Sequence, residues 1–300
     1  MVLNLLALRF ANIFLTPLWN SQYVQSVIVT FKEDIGTEGR GGYFDNAGII
    51  RDVMQNHLLQ VLALVAMEPP VTLSAEDIRD EKVKVLRAIP PISAKDVVIG
   101  QYEGYLTEKD VRPGSKIPTF AAAKLFINNA RWQGTPFILK CGKGLNERKA
   151  EVRIQFRNSL SFLFPTAVPN ELVIRIQPSE SVYLKVMTKL PGISQPTEIA
   201  QAELDLSFGD RFHRAAPEAY SYLLRDVLRG DHGLFVRADE LDAAWQVFTP
   251  MLHEIEDTEK RNPIIYKRGV RSLPEADHLI ADAGWIFTGA TYKWQKPVQK

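Results

Sequence analysis

The chain has 300 residues, 46% hydrophobic and 24% charged, which is typical of a folded globular protein with ample material for a core. Its formal net charge of +1 excludes the basic composition of nucleic-acid-binding proteins and gives no general attraction to membranes. The single cysteine, Cys141, excludes an intrachain disulfide framework and favours a reducing compartment. The five histidines are widely scattered without metal-ligand spacing, so we expect no metal site.

The first 19 residues are rich in apolar side chains and superficially resemble a secretory signal peptide. They lack a basic leading segment, and Arg9 interrupts the apolar run, so a buried amphipathic helix is the better interpretation. No segment reaches about 18 uninterrupted apolar residues, so we expect no membrane span. Because core-like sequence begins so abruptly, we expect that further sequence normally precedes Met1.

A strand, a glycine-rich turn and a long helix follow. Residues 24–32 alternate and are β-branched, which predicts a strand. In the turn, the spacing fails the dinucleotide-binding fingerprint, because the third glycine position after Gly39 and Gly41 is Phe44. We therefore predict a tight turn that needs positive φ, followed by a buried helix over residues 49–67.

The predicted helix carries one polar patch, which consists of Arg51, Asp52, Gln55, Asn56, His57 and Gln60. In an α-helix, Asp52 and His57 would lie about 140° apart around the axis. An imidazole and a carboxylate on a buried helix form a candidate proton-transfer site lining a cleft. The alternative is that His57 is a hydrogen-bonded core residue without a chemical role.

The remaining elements predict an α+β fold with a large, mostly antiparallel sheet and helices packed on it. A helix begins at the Ser74 cap and ends at Ala88, and a loop follows to Pro118. The pattern predicts strands over 121–128, 137–141, 151–156, 171–177, 182–187 and 203–208, with hairpins joining 137–141 to 151–156 and 171–177 to 182–187. Further helices are predicted over 217–229, 238–255 and 274–283.

Four stretches carry a family resemblance: residues 31–52, 49–60, 140–156 and 217–245. They occur in order and strongly resemble glucose-6-phosphate dehydrogenase, and the likeness extends from Met1 to about Trp294. The resemblance implies a single domain over residues 1–300, of the family's C-terminal type. The family's N-terminal NADP-binding Rossmann domain and its Asp-His-Tyr-Leu-Gly-Lys motif are then expected to lie outside this chain.

The family oxidises glucose 6-phosphate to 6-phosphogluconolactone with NADP, in the pentose phosphate pathway. By resemblance, His57 is the base that takes the hydroxyl proton, a role that suits imidazole. The resemblance gives substrate-binding roles to Glu33, Asp52, Lys143, Arg148 and Gln177. Without it, Glu33 could be a strand-end charge, Asp52 a helix-start acid, and the two bases solvated charges in a hairpin loop.

The resemblance also implies that this chain is inactive alone. In the family, the carboxylate that orients the base and the main phosphate ligands come from the upstream motif. The alternative is a non-catalytic module that binds NADP and a dimer partner. Expected partners are glucose 6-phosphate, NADP and further copies of the chain in a homodimer or homotetramer, with no nucleic acid or membrane. The expected compartment is the cytoplasm, with a plastid as the alternative.

Some members of the family bind a second, structural NADP in this domain. The residues that match its site are Lys140, Lys149, Arg153, Arg175, Lys185, Asp205, Ser207, Arg271 and Trp294. Basic groups would pair with the extra phosphate, while Arg271 and Trp294 would stack on the rings. Lys140 stands where arginine is usual, and Phe287 stands where a tyrosine stacks. The alternative is an exposed strand face without a ligand.

Overall fold

The computed structural model describes residues 4–158, 162–192, 198–208, 211, 219–233 and 235–288. The helices are α1 (Asn4–Phe10), α2 (Gly41–Ile49), α3 (Leu59–Ala66), α4 (Ala75–Arg87), α5 (Ala219–Arg229), α6 (Ala238–His253) and α7 (Pro274–Asp282). The strands are β1 (Val24–Lys32), β2 (Val97–Tyr102), β3 (Phe120–Phe126), β4 (Pro136–Gly142), β5 (Lys149–Phe156), β6 (Glu171–Gln177), β7 (Ser181–Lys189), β8 (Ile199–Ser207) and β9 (Ile264–Tyr266). Among these residues, no helix has the length and apolar character needed to cross a bilayer.

The strands form one sheet in the order β8-β7-β6-β5-β1-β4-β3-β2-β9. Most neighbours are antiparallel, as predicted, but β1 pairs with β4 in parallel and β2 pairs with β9 in parallel. The predicted hairpin between 137–141 and 151–156 is wrong, because β1 lies between β4 and β5 and pairs with both. A short connection does not reveal that an earlier strand inserts between its two ends.

The two faces of the central strands pack against different parts of the protein. Val27 and Val29 of β1 point into the main core beneath the helices. The alternate residue Ile28 packs on the opposite face, against Ile138 and against Ile280 of α7. Because side chains alternate along a strand, every second residue of β1 and β4 faces away from the main core.

The central helix differs from its prediction in two ways. Helical structure already begins at Gly41, and Gly48 interrupts it with φ 71° and ψ 163°. The stretch Ile50–Leu58 is then a π-helix, in which residue i bonds to residue i+5. Residues five apart, such as Asp52 and His57, are therefore closer around the axis than they would be in an α-helix. The apolar pattern alone does not distinguish this winding from an α-helix.

The helix is anchored at its far end by two tryptophans and a buried arginine. The indole N–H groups of Trp19 and Trp132 donate to Val65 O and Ala66 O, each at 2.8 Å. The guanidinium of Arg9 donates to Leu64 O at 2.7 Å. Since Trp19 precedes β1, α3 ends near the start of that strand, and the π segment begins near the strand's carboxyl end. The single helix predicted over the first 19 residues is instead α1 followed by a separate 3-10 turn, Ile13–Leu18.

Several predictions are confirmed and two elements were missed. The strand over 24–32 has the predicted bounds, and Ser74 caps α4 by accepting the Asp77 amide N–H at 3.2 Å. The hairpin of β6 and β7 forms as predicted. β2 falls in a stretch expected to be a loop, and the short β9 falls where no element was predicted. The helix predicted over 217–229 is described from residue 219, and residues 212–218 lie outside the described part.

Candidate active site

Two loops meet where the parallel strands β1 and β4 end. Lys32 and Gly142 are register partners, so Glu33 and Lys143 leave the sheet side by side. The loops are joined by backbone bonds from Glu33 N to Gly142 O at 2.9 Å and from Leu145 N to Glu33 O at 2.8 Å. Such reciprocal bonding fixes both backbones and brings the two charged side chains together.

The Lys143 ammonium forms an ion pair with the Glu33 carboxylate, and both side chains are partly exposed. It also lies 5.4 Å from the centre of the Phe44 ring, over its face. A cation held between a carboxylate and an aromatic face has little freedom to move. The pair is therefore a preorganised donor and acceptor for a polyol or a phosphate ester.

Asp52 lies at the same end of the sheet. The Cys141 thiol is buried at the end of β4, 3.9 Å from Ile49 O, where the π segment begins. Burial raises the pKa of this thiol; the nearby Lys143 charge lowers the pKa and the nearby Asp52 charge raises it. Asp52 is the third residue of the π segment, so it lies at the same end of the sheet as the Glu33–Lys143 pair.

The other two predicted substrate residues are on neighbouring strands at this end. Phe31 of β1 is the register partner of Ala150 of β5, and Ala150 is in turn the partner of Gln177, the last residue of β6. Arg148 precedes β5 and is exposed. The structure therefore brings all five predicted substrate-binding side chains to one end of the sheet, with direct contact only between Glu33 and Lys143 among the contacts of the described residues.

His57 is not a core residue. It belongs to the π segment and is exposed, as is Asn56, whereas Gln55 is buried. The alternative of a hydrogen-bonded core histidine is therefore wrong, while the lining of a cleft by this patch stays a prediction. Within the described residues, no hydrogen bond or ion pair is made by the imidazole. A base at this position needs an orienting group from elsewhere.

A second candidate site lies on the opposite face of the same strands. It is a cavity of about 240 Å³ lined by side chains of β1, β4, β5, β6, β7 and α7 and their flanking loops. Its basic residues are Lys32, Lys140, Lys149, Arg153, Arg175 and Arg271, of which sequence reasoning missed Lys32. The missed residue could have been found from the alternation of β1, which puts Lys32 and Thr30 on the face away from the main core.

Cations outnumber carboxylates in this cavity. Glu147 contacts Lys149 at 2.9 Å and Lys32 at 3.4 Å, and Glu151 contacts Lys149 at 3.3 Å. Lys140 has no ion-pair partner among the described residues. The pKa of Lys140 is lowered to about 7, mainly by burial and next by the neighbouring Lys32 charge. The cavity is therefore suited to an anion.

The remaining predicted nucleotide residues are placed less uniformly. Lys185, Asp205 and Ser207 lie on the same face of the sheet, on β7 and β8, beyond the cavity lining. The guanidinium of Arg271 is 5.8 Å from the Phe287 ring centre, so an aromatic contact forms where a tyrosine was expected by resemblance. Trp294 lies outside the described residues.

Comparison with known proteins identifies this architecture. The family model "Glucose-6-phosphate dehydrogenase, C-terminal domain" matches residues 6–295. A glucose-6-phosphate 1-dehydrogenase of Dictyostelium discoideum is 56% identical over 98% of this chain and 61% of its own length. The cytoplasmic isoform of Solanum tuberosum is 53% identical over 99% of this chain and 58% of its own length. The chain thus spans about three-fifths of these relatives.

Solved structures agree with the sequence comparison. A glucose-6-phosphate dehydrogenase in complex with its substrate glucose-6-phosphate is 51% identical, with a TM-score of 0.90 over 96% of this chain and 61% of that chain. The enzyme from Mycobacterium avium is 34% identical, with a TM-score of 0.82 over 100% of this chain and 62% of that chain. These matches confirm the predicted α+β class, with helices packed on a large, mostly antiparallel sheet.

Proposed function

The chain belongs to the glucose-6-phosphate dehydrogenase family, whose C-terminal domain it matches, and we propose that it binds glucose 6-phosphate for oxidation by NADP. The observation that carries this proposal is the set of Glu33, Lys143 and Asp52 at the end of β1 and β4. The Lys143 ammonium would donate to substrate oxygens, while the two carboxylates would accept from sugar hydroxyls. Arg148 and Gln177 flank the same end.

His57 is proposed as the base that accepts the proton of the anomeric hydroxyl. Its exposure leaves the imidazole accessible to a substrate above the π segment. NADP, when bound, supplies the hydride acceptor. The imidazole would receive the hydroxyl proton as the carbon–hydrogen bond breaks, and a neutral histidine is suited to this task near neutral pH. The orienting carboxylate would come from outside the described residues.

Restoring activity tests this proposal. We expect the 300-residue chain to form no NADPH from glucose 6-phosphate and NADP; measurable NADPH formation would contradict that expectation. Fused behind the part of the Dictyostelium relative that it does not match, the chain should become active. His57→Asn should then lower kcat by about 10²- to 10⁴-fold. His253→Asn, at the end of α6, is the matched control and should leave kcat unchanged. Equal effects of both variants would reject His57 as the base.

A second function, structural NADP binding, is supported by the excess of cations in the cavity. Lys140, Lys149, Arg175 and Arg271 surround it and could hold the 2′-phosphate and pyrophosphate of NADP. If this is right, NADP raises the melting temperature of the chain and NAD, which lacks the 2′-phosphate, does not. The absence of any shift at millimolar NADP would remove the proposal.

Self-association is proposed through exposed apolar surface. Large apolar side chains are exposed on the edge strand β8 and on α5, namely Leu204, Leu206, Tyr220, Leu224, Val227 and Leu228. Exposed apolar surface of this kind commonly marks an interface. Light scattering should give a dimer or tetramer mass, and Leu224→Glu with Leu228→Glu should shift it towards the monomer. A cytoplasmic location is proposed by analogy with the potato relative's name.

A further inference from the structure

Behind Lys143, both of its backbone groups are held by buried side chains and backbone. The Lys143 amide N–H donates to Thr119 O at 2.9 Å. The Lys143 carbonyl accepts from the hydroxyl of Tyr266, the last residue of β9, at 2.7 Å. Tyr266 and Thr119 touch each other, with 3.0 Å between their hydroxyl oxygens. Neither was singled out by sequence reasoning.

The protons in this cluster can be assigned by counting donors. Tyr266 has one hydroxyl proton, which goes to Lys143 O, so Thr119 must donate its own proton to the Tyr266 oxygen. Thr119 Oγ1 in turn accepts from the Tyr102 amide N–H at 3.0 Å. A one-way chain of hydrogen bonds thus runs from β2 through Thr119 and Tyr266 to Lys143, and each member fixes the next.

The Tyr266 ring is itself held in place. It is 5% exposed and meets the rings of Phe120 and Tyr102 edge to face, with centroid distances of 6.0 and 6.4 Å. Its backbone pairs with Tyr102 in the parallel contact of β9 with β2, and its carbonyl accepts from Glu103 N at 2.8 Å. The hydroxyl therefore reaches Lys143 from a rigid support.

We propose that Tyr266 and Thr119 are positioning residues that fix the Lys143 backbone so that its ammonium meets the substrate beside Glu33. This inference rests on the proposed function, in which Lys143 binds glucose 6-phosphate. A lysine has a long side chain with several rotatable bonds, so its charge is well placed only if its backbone is fixed. Loosening the carbonyl would let the loop shift and weaken the contact with substrate.

Tyr105 provides a matched control for loss of a buried hydroxyl. It is fully buried in the same aromatic cluster, with its ring 5.6 Å from that of Tyr102. Its hydroxyl donates to Asp45 Oδ1 at 2.9 Å rather than to Lys143. Tyr105→Phe and Tyr266→Phe thus both keep the ring and remove one buried hydroxyl. Tyr105→Phe loses the bond to Asp45, whereas Tyr266→Phe loses the bonds to Lys143 and Thr119, and only the second releases the site lysine.

The test is calorimetric titration of the 300-residue chain with glucose 6-phosphate. Tyr266→Phe and Thr119→Val should each raise the Kd by roughly threefold to tenfold, the range for loosening one positioning hydrogen bond. Thr119→Ser keeps the hydroxyl and should bind like the wild type. Tyr105→Phe should lower the melting temperature without changing the Kd. The double variant Tyr266→Phe with Thr119→Val should be less than additive, since both act on one chain of bonds.

Two further measurements distinguish failure of this inference from failure of the proposed function. If Lys143→Met does not weaken binding, or the wild type does not bind, the proposed substrate site is wrong. Hydrogen exchange then still tests the positioning role: Tyr266→Phe should speed exchange of the Lys143 amide, and Tyr105→Phe should not. If Lys143→Met weakens binding while Tyr266→Phe leaves both the Kd and that exchange rate unchanged, the inference is overturned.

Discussion

Lys140 and Lys143 are close neighbours at the end of β4 but lie in opposite electrostatic settings. Lys143 is paired with Glu33, packed on Phe44 and fixed through its backbone. Lys140 is buried on the other face of the sheet, with Lys32 and other cations close by, and its pKa is lowered to about 7, first by burial and then by Lys32.

The difference separates two ways of building an anion site. A cation that already has a counter-charge is held in position, so a ligand gains from its placement and binding depends little on pH. A buried cation such as Lys140, which has other cations nearby and no ion-pair partner among the described residues, is disfavoured in its charged form until an anion binds. The ligand then both stabilises the fold and promotes uptake of a proton. The two sites should therefore respond independently to substitution.

The largest expected effect is a loss of glucose 6-phosphate affinity, caused by a change at Lys143 that leaves the cavity beside Lys140 intact. Lys143→Met should raise the Kd for glucose 6-phosphate by roughly 10- to 100-fold, because a charged hydrogen bond to substrate is lost. Lys140→Met is the matched control at the other face and should leave this Kd unchanged. Titration calorimetry decides the point. A large effect of Lys140→Met on glucose 6-phosphate binding would show that the two sites are not independent.

The next effect concerns the cavity alone. Saturating NADP should raise the melting temperature by several degrees, since about 100-fold excess over Kd gives about 2.7 kcal/mol. Arg175→Met should remove most of this shift, because Arg175 lines the cavity. Lys143→Met should retain it in full. Scanning calorimetry of both variants makes the comparison, and loss of the shift in Lys143→Met would contradict separate sites.

The smallest effect is a pH dependence of NADP binding. Lys140 faces Lys32 from β1, Lys149 from β5, and both Arg271 and Asp277 from the α7 side. Its pKa is about 7 without a ligand, and a bound phosphate would raise that value. Binding therefore takes up a proton, and affinity should fall as pH rises above about 7, by at most about tenfold per pH unit.

Lys140→Arg serves as the control for this dependence. An arginine keeps its charge throughout the accessible range, so the variant should bind NADP with a flatter pH profile. NADP affinities measured between pH 6 and 9 would show the difference. An equally steep profile in both proteins would mean that another group takes up the proton.

Elements that are encoded by a few neighbouring residues were predictable from the sequence. Features that depend on pairing between strands far apart in the chain were not. β1 and α4 match their predictions because strand alternation and a serine cap are encoded within a few residues. The false hairpin of β4 and β5 arose because β1, far earlier in the chain, inserts between them. The π winding of the central helix leaves no distinct apolar pattern, so the relation of Asp52 to His57 was misjudged.

The candidate site shows the same division. From the residues alone, Glu33 and Lys143 were two isolated charges, and only the family resemblance joined them. Their contact depends on the parallel pairing of β1 with β4, which no local pattern records. Tyr266 and Thr119 were missed for the same reason, because their roles arise from contacts between β9, β3 and the turn after β4. The resemblance, not the pattern, carried the site prediction.

A crystal structure of the chain with glucose 6-phosphate tests the central claim most directly. We predict that the sugar phosphate lies at the end of β1 and β4, with Lys143 Nζ and the carboxylates of Glu33 and Asp52 within hydrogen-bonding distance of its oxygens. A ligand bound in the cavity beside Lys140, with Lys143 still paired only to Glu33, would contradict the account.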